Sequence, residues 1–210
     1  MSNRGLLIIG CDATVQEAMD IASSDTHSPY NLIRTLQLRT QDYFPDDYSE
    51  LYEYDPSEYL ACVVGNEFYI NQVRAEIYAN VKAIGYRFTN IISKQSLISP
   101  HAKLGESNLI WPGVYIGANT KLGSGCVVRG STQIYPDCNL GDFVTLEPHC
   151  VVREACSVEN YSTLCASTYL MRASRISESV YINKPGQYFG LIDSGTFISP
   201  FFENSIKVIG

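Results

Sequence analysis

Histidine is scarce in this chain, three residues in 210, and tryptophan occurs once. His27, His101 and His149 stand at no metal-ligand spacing, which excludes a hydratase built on a three-histidine metal site. Basic residues are in the minority, 15 Lys and Arg against 22 Asp and Glu, for a formal net charge of −7. No cationic stripe is therefore offered to nucleic-acid phosphates, and nucleic acid is excluded as a partner. No apolar run approaches the ~18 residues of a membrane helix, and no basic-plus-apolar leader follows Met1, so the expectation is a cytoplasmic protein without membrane insertion. The seven cysteines include no CxxC pair, and their odd number argues against a disulfide framework.

What the chain does have is a strict period of six. From Ile98 to Ile182 an aliphatic residue stands at every sixth position, through Leu104, Ile110, Ile116, Leu122, Val128 and onward. A helical stripe repeats at three and four residues and a half-buried strand at two, so a period of six requires a backbone that turns a corner every six residues. Four residues after each aliphatic position comes a small or β-branched one, among them Asn108, Thr120, Cys126, Thr132, Cys138, Cys150, Cys156 and Ser162. The pattern reads as a solenoid in which each rung buries its aliphatic row against the next. Four of the seven cysteines fall in the small position, where a thiol serves as a compact hydrophobe.

The first half is different. GLLIIG at 5–10 is a short buried strand ending in glycine, and Val15, Ala18, Met19 and Ala22 follow at helical spacing. YLACVV at 59–64 reads as a second strand, and Ile70, Val73, Ile77, Val81 and Ile84 share one face of a helix stopping at Gly85. Residues 86–92 complete a small parallel sheet flanked by helices. Between these parts, residues 23–57 read as an acidic, tyrosine-bearing surface loop, with a strand containing Leu32, Leu36 and Leu38 as the one regular element available.

The order of parts resembles the bacterial sugar acyltransferases that include sialic acid O-acetyltransferases and the bacillosamine and perosamine N-acetyltransferases. The stretches that carry the likeness are IIG at 8–10, VGN at 64–66 with Arg74, and the junction NIISKQSLISPHA at 90–102. The resemblance implies a mixed architecture: an α/β Rossmann-like domain over 1–92, a left-handed parallel β-helix of about five coils over 93–182, and a C-terminal cap or tail over 183–210. It also implies acetyl-CoA as co-substrate, a nucleotide-linked sugar as acceptor, transfer to its amino or hydroxyl group in surface-polysaccharide biosynthesis, and a homotrimer. Gly10, Thr14, Gly65 and Asn66 are the substrate-binding positions it implies; it points to no CoA-binding residue and no metal.

Two stretches depart from the family pattern. Where the family's first turn has the form G-x-G-G-H, this chain has Gly10-Cys11-Asp12-Ala13-Thr14, placing a carboxylate where a diphosphate would approach bare amides. Where the family has I-x-H-E-C, with the histidine as general base, this chain has Ile134-Tyr135-Pro136-Asp137-Cys138. Proline neither accepts nor relays a proton. The catalytic candidates are then His149, with Glu147 and Glu154 close in sequence to orient it, and Asp137, the acid that survives. The alternative expectation is a trimeric homologue without activity, serving a structural or regulatory role.

Overall fold

A computed structural model of the chain describes residues 4–24, 30–41, 43–67, 69 and 71–207. His27 and Ile70 lie outside the described residues. The N-terminal part runs β1 (Gly5–Gly10), α1 (Thr14–Ser23), β2 (Ile33–Gln37), a β3–β4 hairpin (Thr40–Gln41 and Phe44–Pro45), β5 (Tyr59–Val63), α2 (Gln72–Ile84) and β6 (Arg87–Phe88). Its sheet is parallel throughout in the order β2-β1-β5-β6. Every residue of β1 is buried, as an all-apolar strand covered on both faces must be. Helix α2 ends at Gly85, whose φ of +106° closes its amide onto the Lys82 carbonyl at 3.0 Å.

Two expectations change in detail. The 23–57 segment is not a plain loop: β2 lies beside β1, and Leu36, Leu38 and Leu51 are buried under Tyr86, whose hydroxyl donates to the carbonyls of Leu51 and Tyr54. The strand expected over 86–92 is two strands. Arg87–Phe88 closes the N-terminal sheet, while Ile91–Ile92 pairs with Leu109–Ile110 and opens the solenoid.

The solenoid is a left-handed β-helix with three parallel faces. The first begins at Ile91–Ile92, the second at Leu97–Ile98 and the third at Lys103–Leu104. Rungs stack with an 18-residue step, as in Ile110 to Val128 to Leu146 to Leu164 to Ile182. There are about six turns rather than five, because the coil continues past Ile182 through Gly186–Tyr188, Leu191–Ile192 and Thr196–Ile198. The sequence frame hides this last turn for a local reason. Ile192 stacks on Ile176 only sixteen residues later, the chain saving two residues at the turn through Gly190, φ +75°. Ile206–Lys207 then lies antiparallel on Thr196–Phe197.

The small position does more than save space. Hydroxyls or thiols of Thr120, Cys126, Thr132, Cys138, Cys150, Cys156 and Ser162 each donate to the carbonyl fifteen residues on, at 2.8–3.2 Å. Each bond adds a donor to a corner carbonyl of the next coil, and Cys165 O and Met171 O accept the Thr168 and Ser174 amides as well. Burial pushes the Cys126, Cys138 and Cys150 thiols up to about 12, so these are inert packing groups. The corners themselves recur at one residue in six with φ near +60°, at Ser107, Asn119, Ser131, Asp137, Phe143, His149, Ala155, Tyr161 and on to Ser179, with Gly113 and Gly125 in the same series.

The N-terminal domain sits on the first face. Leu6, Ile8, Val15 and Ala18 pack against Ile91, Leu109 and Val127. Arg74, 1% exposed, ties α2 to the coils: Nε donates to Gly125 O at 2.7 Å, Nη1 to Gly65 O and Asn66 O, and Nη2 to Asn71 Oδ1, Phe143 O and Thr145 Oγ1. Asn71 adds bonds from its Nδ2 to Tyr161 O and Thr163 Oγ1.

Candidate functional site

Strand order reverses between β1 and β5, and a parallel sheet holds ligands in the crevice outside the carboxyl ends at such a point. The loops that leave those two ends are Cys11–Ala13 and Gly65–Glu67. Asp12 joins them. Its Oδ1 accepts the Thr14 amide at 2.7 Å and its Oδ2 accepts the Asn66 amide at 2.9 Å. Beside it, burial and then the Asp12 charge push the Cys11 thiol up to about 11.

Helix α1, which follows the first of these loops, meets the corner between the first and second solenoid faces. Three hexapeptides per coil stack Trp111, Arg129, Glu147 and Cys165 there, eighteen residues apart. Arg129 lies over the Trp111 ring at 5.0 Å, and its guanidinium faces Glu147 (Nε to Oε1, 3.2 Å) and Glu17 of α1 (Nη1 to Oε2, 3.5 Å). A cavity of about 270 Å³ beside this column is lined by Glu17, Asp20, Ile21, Trp111 and Pro112. Burial raises the Glu147 carboxyl above its ordinary value; Arg129 opposes the rise and Glu67 adds to it. Burial, reinforced by Glu67 and Glu147, likewise pushes Tyr181 up to about 12. Glu17 and Glu147 thus share Arg129, and Glu67 lies close enough to act on Glu147 through space.

The residues expected from sequence are dispersed. Gly10, Thr14 and Gly65 are buried, and Asn66 is half-buried. Gly10 is required by packing, since a Cβ there would stand 2.6 Å from Val64 O and 2.8 Å from Val15 Cγ2. His149 is exposed on the first corner, two residues from Glu147. Asp137 is on the second corner, where Oδ1 accepts the Asn119 side-chain amide at 3.0 Å. Within one chain the two catalytic candidates therefore occupy different edges of the prism. Neither acid expected to orient His149 is committed to it: Glu147 is held by Arg129, and Glu154 by Arg153 at 3.0 Å. Pro136 serves its corner structurally, its carbonyl accepting the Ala155 amide.

Sequence reading missed the Asp12 bridge and the Trp111–Arg129–Glu147 column. The column was findable, because the three-hexapeptide coil makes an 18-residue spacing a spatial neighbour relation. The bridge was not, because it joins loops 54 residues apart.

Among known families, the bacterial transferase hexapeptide repeat matches residues 101–136. That stretch lies within the left-handed β-helix. Among solved structures the fold of both parts is shared with the acetyltransferase domain of PglB from Neisseria gonorrhoeae FA1090 in complex with acetyl coenzyme A, at 22% identity, TM-score 0.82, over 98% of this chain and 100% of that one. It is also shared with PerB from Caulobacter crescentus in complex with CoA and GDP-perosamine, at 20% identity, TM-score 0.73, over 92% of each chain. A third match is WeeI from Acinetobacter baumannii AYE, at 14% identity, TM-score 0.75, over 96% of this chain and 100% of that one. No curated protein sequence matches. Among the described residues no group of His, Cys, Asp and Glu is arranged to hold a metal ion, and no helix is long and apolar enough to cross a membrane.

Proposed function

We propose that this chain transfers an acyl group, acetyl in the first instance, from acyl-CoA to an amino or hydroxyl group of a sugar, in the cytoplasm and as a homotrimer. The observation that carries the reading is architectural: both parts of the chain, in their mutual arrangement, match end to end a structure that holds acetyl coenzyme A. A nucleotide-linked sugar in surface-polysaccharide biosynthesis is the acceptor class, by likeness to the complex with GDP-perosamine. In the reaction the sugar nitrogen or oxygen attacks the thioester carbonyl. The new C–N or C–O bond forms as the C–S bond breaks, the acceptor's proton passes to a base, and the CoA thiolate takes up a proton.

His149 is the base in this reading. Its exposed corner position leaves the imidazole open to an acceptor. Asp137, on another edge of the prism, reaches the same acceptor only from a neighbouring copy, which ties its role to the trimer. Positioning of donor and acceptor supplies the remainder, and an amine needs less help from a base than a hydroxyl. The test is acetyl-CoA binding by calorimetry, followed by thiol release with a panel of amino sugars and their nucleotide-linked forms. Absence of binding at millimolar acetyl-CoA would sink the transferase reading, and an unchanged rate in His149→Ala would remove that residue from the mechanism.

A second reading has a specific observation behind it. Pro136 replaces the family's base, and Asp12 fills the first turn. A non-catalytic trimeric relative with a structural or regulatory role accommodates both, and it predicts acetyl-CoA-independent assembly with no thiol release.

A further inference from the structure

The first turn of a βα unit binds phosphate because the first amides of its helix lack acceptors. In this chain those amides are spoken for. Thr14 N donates to Asp12 Oδ1 at 2.7 Å, Val15 N to Asp12 O at 3.2 Å, and Gln16 N and Glu17 N to Ala13 O at 3.1 and 3.3 Å. Across the reversal point, the Asn66 amide donates to Asp12 Oδ2 at 2.9 Å. One side chain therefore takes the first helical amide, that of Thr14, and latches the helix terminus to the loop after β5.

The charge balance agrees with this. Arg74 is buried directly beneath the second loop, where its Nη1 holds the Gly65 and Asn66 carbonyls. All of its hydrogen bonds go to uncharged oxygens, so its counter-charge comes through space, and Asp12 and Glu67 are the acids that act on it. A cation in that place would favour a ligand's diphosphate in an open turn; here Asp12 already supplies the anion. A diphosphate would enter beside Asp12, Glu17, Glu67 and Glu147, with Arg129 already shared between two of them. The space is taken as well. The Asp12 carboxylate stands 3.4 Å from where a Cβ of Gly65 would be.

We propose that Asp12 is a built-in anion that closes the first turn to phosphate and so determines the acceptor class: a sugar that brings no diphosphate to this turn and presents a neutral or amine-bearing end to the acidic crevice. This rests on the transferase reading for the word acceptor, and it departs from the nucleotide-linked class named there, whose diphosphate this turn would refuse. The closure of the turn to anions stands apart from that reading and is tested apart from it.

The experiment is calorimetric titration of the full chain with UDP, GDP and inorganic pyrophosphate, comparing wild type with Asp12→Gly and Asp12→Asn. Wild type is expected to show no saturation at about 1 mM of any of the three, and Asp12→Gly to bind at least one of them about tenfold or more tightly than wild type, because two amides are freed and one negative charge is removed. Asp12→Asn keeps one oxygen for the Thr14 amide but loses the charge and the acceptor of the Asn66 amide; it changes in the same direction, and it carries the test if the glycine variant does not fold. Saturable micromolar binding of UDP or GDP by wild type would overturn the proposal. So would folded variants, with circular dichroism and unfolding like those of wild type, that bind no more tightly. Acetyl-CoA titrated into the same samples separates the two ideas: its failure to bind counts against transfer and leaves the nucleotide comparison intact.

Discussion

Replacing Arg74 by methionine removes every donor of a buried guanidinium while filling much of its volume. Four backbone carbonyls, those of Gly65, Asn66, Gly125 and Phe143, lose their bond from it, as do Asn71 Oδ1 and Thr145 Oγ1. A buried acceptor left without a donor costs ~1–3 kcal/mol, so the gross loss is several kcal/mol. Against this, methionine escapes the burial that depresses the arginine to about 10. The expected net destabilisation is about 3–5 kcal/mol. Because the lost bonds join α2 to coils at 125, 143 and 145, the N-terminal domain is expected to come away before the solenoid melts. Denaturant unfolding followed by Trp111 fluorescence, which reports the α1 contact, and by circular dichroism checks this: wild type unfolds in one coincident transition and the variant in two. Arg74→Lys recovers only part of the loss, since an ammonium cannot span the same fork of acceptors. A methionine variant within about 1 kcal/mol of wild type, with coincident transitions, would refute the view that this network fastens the two parts.

Three further outcomes follow from the coils and the interface. Thr132→Val keeps the shape but deletes the donor to Glu147 O, and a loss of about 1–2 kcal/mol in urea unfolding is expected, with Thr132→Cys milder because the thiol donates at the equivalent positions. Gly125→Ala places a Cβ 2.4 Å from the Phe143 ring at φ +68°, and about 2–3 kcal/mol should be lost, read as a lowered Tm. The Tyr78 hydroxyl, opposed by partial burial and helped by Lys82, holds the Glu106 carboxyl below its ordinary value. A depressed carboxyl contributes stability above its unfolded pKa of about 4.3 and loses it as pH falls through the folded value. Wild type should therefore exceed Tyr78→Phe in stability at pH 7, with the gap closing toward pH 3; a gap independent of pH would contradict the assignment.

Much of the fold was readable from residue spacing. The aliphatic positions and the small positions both enter one buried cluster, from Ile110 and Val114 through Val180 and Ile182. The reading ended one turn early because it relied on an exact period, and the coil drops two residues near Gly190 while keeping its stacking. The segment before β5 was hard to read because its buried residues, Leu36, Leu38 and Leu51, are too few and too widely spaced to declare a period. For the site, sequence located the two departures, Asp12 and Pro136, yet only one had a consequence it could not foresee. Pro136 remains a plain corner, while Asp12 turns out to hold both loops.

A repeat is legible in sequence because each coil's environment is made by its neighbours eighteen residues away, so the same local demand recurs and leaves the same residue type. His149 and Asp137 show the limit of that rule. Spacing assigns both to left-handed corner positions, and the structure gives them the same φ of +62°, but on different edges of the prism. What they can reach is decided by where the N-terminal domain rests, and that depends on single contacts such as Arg74 to Gly125 and Asp12 to Asn66. Those contacts occur once, between segments far apart in the chain, and so only the tertiary structure decides them.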